Sequence, residues 1–304
     1  MNRRRRGCRS RACWLAHSIW YIANCIESTR DPSPPSFKSF RNCFGIARLK
    51  PHLYWETINP ANWNDRARDP RFVHGIDESL PSISLDTPID PWIQEEGDLR
   101  GKKVLCLAAG GGTHGPQLAL AGAIVTVMDV APRLLEIDQA LAVQHGLSLA
   151  TVPMSMSTSW SDEWVGFDLV IQPVSGCYVS DLKAVYRNVA KALKPQGVYL
   201  FQAKQPAMMQ AQWLSSASHY ATVTPYARQW PLPPIDRKDL FREQGTVEFL
   251  HTWDEILGDL CRSGFAMERF EEPPRGDAWA SPGSSLHRAC FFPPYIKVKA
   301  RKNS

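Results

Sequence analysis

A strand, a glycine-rich turn and the start of a helix follow one another directly after Gly101, and this feature constrains the fold most. Lys103–Ala108 is an apolar run of strand length, Gly110–Gly112 are three consecutive glycines, and Pro116–Leu120 suits the first turns of a helix. Glycines let the backbone approach a ligand closely, and a helix start offers free N–H groups. The segment therefore predicts a cradle for a nucleotide or another anionic ligand.

Strands and helices continue to alternate beyond this turn. Ile124–Met128 is a β-branched run that ends at Asp129, and Pro132–His145 has apolar residues at helical spacing. Further strands are predicted at residues 148–152, 167–171, 198–203, 247–250, 265–270 and 287–298, and further helices at 181–193 and 253–262. This alternation predicts an α/β fold in which a mostly parallel sheet lies between two layers of helices.

The regions around this core differ from it in composition. We predict a basic extension at residues 1–46, disordered or read from a mis-assigned start, and a lead-in at 47–100 with a short helix at 60–68. We expect residues 101–304 to form the main domain, in which the aromatic- and Met-rich segment 205–245 is a possible substrate cap. The formal net charge of +5 is concentrated at the two ends of the chain, which favours solvated tails over a nucleic-acid surface.

Cysteine usage and hydropathy indicate a cytoplasmic protein. The eight cysteines are scattered and form no CxxC pair, so we predict a reducing compartment and no metal site. No apolar run is long enough to cross a bilayer, and no membrane association is expected. The stretch after the N-terminal arginines lacks a clean cleavage site for a signal peptide.

The residues alone leave two kinds of nucleotide open. Asp129 follows Gly110 by 19 residues, near the spacing at which an acidic residue accepts the hydroxyls of a ribose. Gly110, Gly112 and Gly115 also satisfy the G-x-G-x-x-G pattern of dinucleotide-binding enzymes. The turn therefore predicts an adenosine-containing ligand without deciding which.

The order of motifs resembles the class I S-adenosylmethionine-dependent methyltransferases, especially bacterial small-molecule enzymes. Val104–Gly112 is similar to the first motif of that family, and Gly122–Asp129 is similar to its second strand with the ribose-binding acid. Phe167–Ile171, Leu193–Gly197 and Gly264–Pro273 resemble its later strands, and Asn59–Ala67 resembles the helix before the core. The resemblance covers about two hundred residues.

The resemblance implies a Rossmann-like three-layer α/β/α sandwich with seven strands in the order 3-2-1-4-5-7-6 and S-adenosylmethionine as cofactor. It also implies that the cofactor is bound by Ala108, Gly110, Gly112, Asp129, Val130, Ser155, Met156, Gln172 and Pro173. Three positions depart from the family: Cys106 and Ser155 stand where acidic residues are usual, and Ala108 replaces the first glycine.

The acceptor of the methyl group is not identified by any motif. An in-line displacement from a sulfonium requires alignment above all, and a base only when the acceptor must lose a proton. His114, Tyr178 and His219 are candidate catalytic residues, and His251 is a candidate structural histidine. We expect a small-molecule acceptor. A nicotinamide- or flavin-dependent oxidoreductase and a non-catalytic binding protein stay open as alternatives.

Overall fold

The computed structural model describes residues 51–68, 88–227, 230–235 and 239–304, so the predicted extension at 1–46 lies outside the described residues. Residues Tyr54–Ser304 belong to one compact unit, which contains the sheet. Helix α1 (Pro51–Arg66) begins well before the predicted helix at 60–68, with Pro60 inside it. No helix in these ranges is long and apolar enough to cross a membrane.

The main sheet of the described chain has seven strands. They are β1 (Lys103–Leu107), β2 (Ile124–Asp129), β3 (Leu149–Pro153), β4 (Phe167–Gln172), β5 (Leu193–Lys204), β8 (Phe265–Glu271) and β9 (Tyr295–Lys302), while β6 (Ala211–Leu214) and β7 (His219–Thr222) form a separate hairpin. The order β3-β2-β1-β4-β5-β9-β8 becomes 3-2-1-4-5-7-6 when these seven strands are numbered among themselves, which confirms the prediction.

Strands β1 to β5 pair in parallel, and β9 is antiparallel to both β5 and β8. The connecting helices begin where the sequence supplies a cap or a proline. Pro132 opens α4 (Pro132–Gln144), and the Asp181 carboxylate accepts the Ala184 N–H at 2.9 Å to cap α5 (Leu182–Ala192). The helices are α2 (Pro91–Gln94), α3 (His114–Leu120), α4 (Pro132–Gln144), α5 (Leu182–Ala192), α6 (Pro206–Gln210), a π-helical turn (Asp254–Gly258) that continues into α7 (Asp259–Arg262), and α8 (Ser285–Ala289).

Alternate residues of the central strands fill two cores, one on each face of the sheet. Leu105 and Leu107 of β1 pack with α5 and α7, whereas Val104 and Cys106 pack on the opposite face with α2, α3 and α4. Both sets are buried, as expected for strands covered by helices on both sides. The glycine-rich turn lies at the edge of the sheet where β1, β2, β4 and β5 end.

The last predicted strand, at 287–298, is wrong in its position. Residues 285–289 form α8, which begins because the Ser284 hydroxyl accepts the His287 N–H at 3.2 Å. Strand β9 begins only at Tyr295. Pro293 and Pro294 lie between them and have no N–H to donate to a ladder, so pairing cannot start earlier.

The predicted strand at 247–250 does not form. Its backbone groups bond to scattered partners instead: Val247 N–H donates to the Asn59 side chain at 2.8 Å, and Phe249 N–H donates to the Cys177 carbonyl at 2.7 Å. These bonds tie residues 247–249 to α1 and to the loop after β4. We call residues 205–251, which contain the predicted cap at 205–245, the cap segment. Residues 247–250 are thus held by individual contacts and not by a sheet.

Candidate functional site

The glycine-rich turn leaves β1 through two residues with left-handed backbone conformation. Ala108 has φ of 48°, and its N–H donates to the Met128 carbonyl at 2.7 Å, while Gly111 has φ of 72°. A positive φ is unfavourable for residues with a Cβ, so Gly111 suits its position better than Ala108 does. The reversal directs the turn across the end of β2 toward α4.

Close packing explains the glycines of this turn. A Cβ on Gly110 would lie 2.9 Å from the Leu134 Cβ, and one on Gly111 would lie 2.7 Å from the Leu134 Cδ2. A Cβ on Gly112 would meet nothing closer than 3.3 Å. Gly110 and Gly111 therefore approach α4 too closely to carry a Cβ, whereas a Cβ on Gly112 would be tight only against residues of the turn and the start of α3.

Asp129 ends β2 directly beneath the turn and is 7% exposed. Its Oδ2 accepts the Gly110 N–H at 3.0 Å, and its Oδ1 accepts the Ala131 N–H at 2.9 Å. Burial raises the pKa of this carboxyl, and these backbone N–H groups oppose the shift. Each oxygen keeps a second lone pair, so the oriented carboxylate is suited to accept two further hydroxyl hydrogens.

A second acid, Asp138, lies under the same turn and was not among the predicted site residues. It is 0% exposed, and its Oδ2 accepts the Gly111 N–H at 2.7 Å. Burial raises the pKa of Asp138 to about 8. A sequence signal existed, because Asp138 interrupts the apolar face that Leu134 and Leu141 form on α4.

The loop after β3 contains the two residues predicted to meet an adenine ring. Ser155 is half-buried, and its hydroxyl pairs with the Ser157 hydroxyl at 3.1 Å. Met156 is 5% exposed and belongs to the core on the α5 face, where its sulfur receives the Gln172 Nε2 at 3.4 Å. Met156 therefore fills the core, and its contact with a cofactor stays a prediction.

Gln172 and Pro173 lie at the carboxyl end of β4, beside the turn. Gln172 is buried and fixed at both ends of its amide, because Nε2 donates to the Ser175 hydroxyl at 2.9 Å and Oε1 accepts from the Tyr199 hydroxyl. Pro173 and Val130 are half-buried at the same edge of the sheet. The structure thus brings all nine predicted cofactor residues to the carboxyl edge of the strands.

The three candidate catalytic residues are not brought together. His114 is exposed at the start of α3, and His219 is exposed on the β6–β7 hairpin, where its ring contacts the Ala217 carbonyl at 3.2 Å. Tyr178 follows β4, and its hydroxyl donates to the Glu243 carboxylate at 2.6 Å. Burial raises the pKa of Tyr178 well above its usual value, so this hydroxyl is a donor and not a base.

Tyr178 belongs to a buried charge network that the sequence did not reveal. We define the network as Lys204, Arg242, Glu243 and Glu248 with the Tyr178 hydroxyl. Lys204 Nζ lies 2.6 Å from Glu243 Oε2 and also contacts Glu248, whose other oxygen binds Arg242 Nε at 2.6 Å. Burial alone would lower the pKa of Lys204, but the acidic groups around it raise that pKa by a larger amount. The Lys204 side chain therefore stays charged. The network joins the end of β5 to the cap segment.

A pocket of about 20 Å³ lies between this network and Gln172, with room for about one water molecule. Most of its lining is apolar or aromatic, and the lining includes Gln172, Cys177, Lys204, Met209, Phe249 and His251. His251 is buried, and its Nε2 lies 3.1 Å from the Gly176 carbonyl and 3.0 Å from the Val179 carbonyl. Two carbonyl partners require Nε2 to carry the hydrogen, and burial lowers the pKa of the ring.

These residues fit S-adenosylmethionine. Asp129 offers oriented lone pairs for ribose hydroxyls, Gly112 is half-buried on the turn, and the Ser155 hydroxyl is a polar group for the adenine. The pocket begins at Gln172, where the reacting end of such a cofactor would meet an acceptor. Dinucleotide binding is not required by any of these contacts.

Comparison with known proteins assigns the family. Residues 104–197 match the model of a methyltransferase domain family. An uncharacterized methyltransferase of Bacillus subtilis (strain 168), YbaJ, is 32% identical over 186 residues, which are 59% of this chain and 71% of that protein. A ubiquinone biosynthesis O-methyltransferase of Idiomarina loihiensis is 34% identical over 34% of this chain, and the chain spans only 42% of its length.

The solved structures agree on the fold. An S-adenosylmethionine-dependent methyltransferase from Mesorhizobium loti superposes with a TM-score of 0.53 at 24% identity, covering 72% of this chain and all of that one. The oxidoreductase alternative receives no support from these matches. With the ordered motifs, the sheet order and the cofactor-compatible turn, they show that the chain belongs to the class I S-adenosylmethionine-dependent methyltransferases.

Proposed function

We propose that this methyltransferase transfers the methyl group to a small-molecule acceptor whose reacting group, about the size of one water molecule, enters the pocket between Gln172 and the charge network. The enclosure of that pocket carries the proposal. Met209 and Phe249 of the cap segment are buried over it, and α1 holds the same segment through Asn59. A covered apolar pocket suits a small molecule, whereas a protein or nucleic-acid chain needs an open groove.

The residues divide the work of the reaction between binding, orientation and exclusion of water. S-adenosylmethionine supplies an activated methyl group on a sulfonium, so the protein must mainly align the acceptor with it. The fixed amide of Gln172 marks the boundary between the two ligands, and the mostly apolar lining leaves room for little water. Lys204 lies at the far side of the pocket, where Glu243 and Glu248 compensate its charge.

Calorimetric titration with S-adenosylhomocysteine, with NAD and FAD in parallel, tests which cofactor the protein binds. We expect binding of S-adenosylhomocysteine alone and weaker binding by Asp129→Ala, because the change removes the carboxylate beneath the turn. Asp162→Ala is the matched control, since that carboxylate is 97% exposed and far from the turn in sequence. A response to NAD or FAD with none to S-adenosylhomocysteine contradicts the proposal.

Methyl transfer to a fractionated cell extract tests whether the acceptor is a small molecule. Radiolabelled S-adenosylmethionine should place label in the small-molecule fraction. Met209→Trp fills the pocket and should abolish transfer while leaving the affinity for S-adenosylhomocysteine unchanged; Met267→Trp, at a position 44% exposed on β8, is the control. Label in proteins or nucleic acids would overturn a small-molecule acceptor.

Cellular location is a separate part of the proposal. We infer a cytoplasmic enzyme from the cysteine usage of the sequence, and the four cysteines in the described ranges are free thiols. A reporter fusion of the full chain, examined by cell fractionation, checks this location directly. Recovery in a secreted or membrane fraction would contradict it.

A further inference from the structure

We propose that Asp138 is a positioning residue for cofactor binding: its carboxyl group holds the Gly111 amide and thereby fixes the glycine-rich turn in its binding conformation. The hydrogen bond from Gly111 N to Asp138 Oδ2 measures 2.7 Å. Asp138 lies on α4, which is 27 residues further along the chain, so this bond ties the turn to a helix. The inference rests on binding of S-adenosylmethionine at this turn.

The surroundings of Asp138 show that packing does not explain why an acidic residue occupies this position. The side chain is 0% exposed, and Ile137 and Leu141 beside it on α4 are buried apolar residues. Its Oδ1 is buried without a hydrogen-bond partner among the described residues. A carboxyl group in an apolar core, with one oxygen unpaired, is unfavourable compared with an apolar residue. The contribution of Asp138 therefore lies in the one bond that it makes, to Gly111.

The turn depends on that bond because little else holds its centre. Gly111 has φ of 72°, and glycine populates both signs of φ with nearly equal ease, so the conformation is not set by the residue itself. Gly110 beside it is fixed by a different acid, Asp129. Two buried carboxyl groups thus hold two successive amides, and loss of either frees one half of the turn.

The unpaired oxygen indicates that Asp138 acts as a neutral carboxylic acid. A charged carboxylate with a single backbone donor is costly in an apolar core, and burial raises the pKa of Asp138 to about 8. In the neutral form the carbonyl oxygen still accepts the Gly111 N–H. Asparagine has the same shape and the same acceptor, so Asp138→Asn preserves the proposed contact while Asp138→Ala removes it.

Calorimetry with S-adenosylhomocysteine compares the wild type with three variants. We expect Asp138→Ala to weaken binding about five- to tenfold, the effect of one lost backbone hydrogen bond, and Asp138→Asn to stay within about threefold of the wild type. Leu141→Ala, one turn further along the same buried face, is the matched control. It should lower the Tm without changing the affinity, which separates positioning from stability.

Equal affinity of Asp138→Ala and the wild type would refute the inference, as would a loss in Asp138→Asn as large as that in Asp138→Ala. If Asp138→Ala does not fold, nuclear magnetic resonance of the wild type decides instead. The Gly111 amide resonance should titrate with a midpoint near pH 8, as the bonded carboxyl loses its proton. A Gly111 amide that shows neither this titration nor protection from hydrogen exchange overturns the inference. Failure of the wild type to bind S-adenosylhomocysteine refutes the proposed function, and the titration still tests the Asp138–Gly111 bond.

Discussion

Replacement of Lys204 by methionine should destabilise the protein strongly, although the two side chains are similar in length. The Lys204 side chain is 2% exposed, and its partner Glu248 is 0% exposed. Removing one partner of a buried ion pair leaves the other charge uncompensated and costs about 3–5 kcal/mol. Because Arg242 and the Tyr178 hydroxyl continue to bind the two carboxylates, we expect a value near the lower end, about 3 kcal/mol.

Urea unfolding followed by tryptophan fluorescence measures this free energy. A loss of about 3 kcal/mol corresponds to a decrease in Tm of about 6–12 °C for a domain of this size. Lys194→Met is the matched control, because the Lys194 side chain is 48% exposed and its pair with Asp168 should contribute at most about 1 kcal/mol. The double variant Lys204→Met with Glu248→Gln should recover part of the loss, since it removes the uncompensated charge as well.

The pH dependence of the Lys204→Met variant gives an independent check. Burial already raises the pKa of Glu248 in the wild type, whereas charges and hydrogen bonds that include those of Lys204 hold the pKa of Glu243 below its usual value; without the lysine charge, both pKa values should rise. A raised carboxyl pKa stabilises the folded state at low pH, and that stabilisation is lost as the pH rises through the folded pKa. The variant should therefore lose more stability at pH 8 than at pH 5. A loss below 1 kcal/mol, or an equal loss at both pH values, would refute the reasoning.

Three further changes test other contacts. Gly111→Ala should reduce stability by about 1–3 kcal/mol more than Gly146→Ala. Both glycines have positive φ, but only at Gly111 would a Cβ lie too close to a neighbouring side chain. Thermal unfolding measures the difference, and equal losses in the two variants would contradict this prediction. Asn59→Ala should cost about 1–3 kcal/mol in urea unfolding by leaving buried groups of the cap segment unpaired, whereas Asn64→Ala, which removes one exposed bond, should cost less. A carboxyl with a raised pKa loses its stabilisation as the pH rises, so the wild type should lose at most about 1.4 kcal/mol of stability per pH unit between pH 5 and 8 through Asp138. Asp138→Asn should remove this fall, and identical slopes of stability against pH in the two proteins would contradict the raised pKa.

The sheet and the cofactor half of the site could be predicted because their signals are local. The turn at Gly110–Gly112 and the acid at Asp129 are each set by neighbouring residues, and parallel strands bring their carboxyl ends to one edge. The last strand was placed too early because its apolar residues begin before Pro293, and the prediction counted hydrophobicity without the missing N–H of two prolines. Backbone chemistry overrides side-chain pattern at such a position.

Asp138 was missed although the sequence contained its signal. An acid on the apolar face of an amphipathic helix contradicts the helical pattern, and such contradictions occur where a side chain has a specific partner. The Cys106 thiol is buried nearby, and its pKa is raised by burial and by the Asp138 carboxyl. The family position at which an acid is usual therefore holds an apolar thiol, while an acid reaches the turn from α4.

The charge network could not be predicted, because nothing local connects its members. Lys204 ends a strand, Tyr178 follows another strand, and Glu243 and Glu248 lie in a segment without regular structure. Each alone has the sequence context of a surface residue, and only the folded chain shows that their charges compensate one another out of water.

This contrast explains why the cofactor was predictable and the acceptor was not. The predicted cofactor residues lie on a turn and at the end of the next strand, both of which are specified by local sequence, and together they indicate an adenosine-containing ligand. The proposed acceptor pocket also takes side chains from the cap segment, such as Met209 and Phe249, whose identities are free of the constraints of the sheet. Changes of acceptor in related enzymes should therefore fall in that segment, and exchange of residues such as Met209 and Phe249 should alter the acceptor while S-adenosylhomocysteine binds as before.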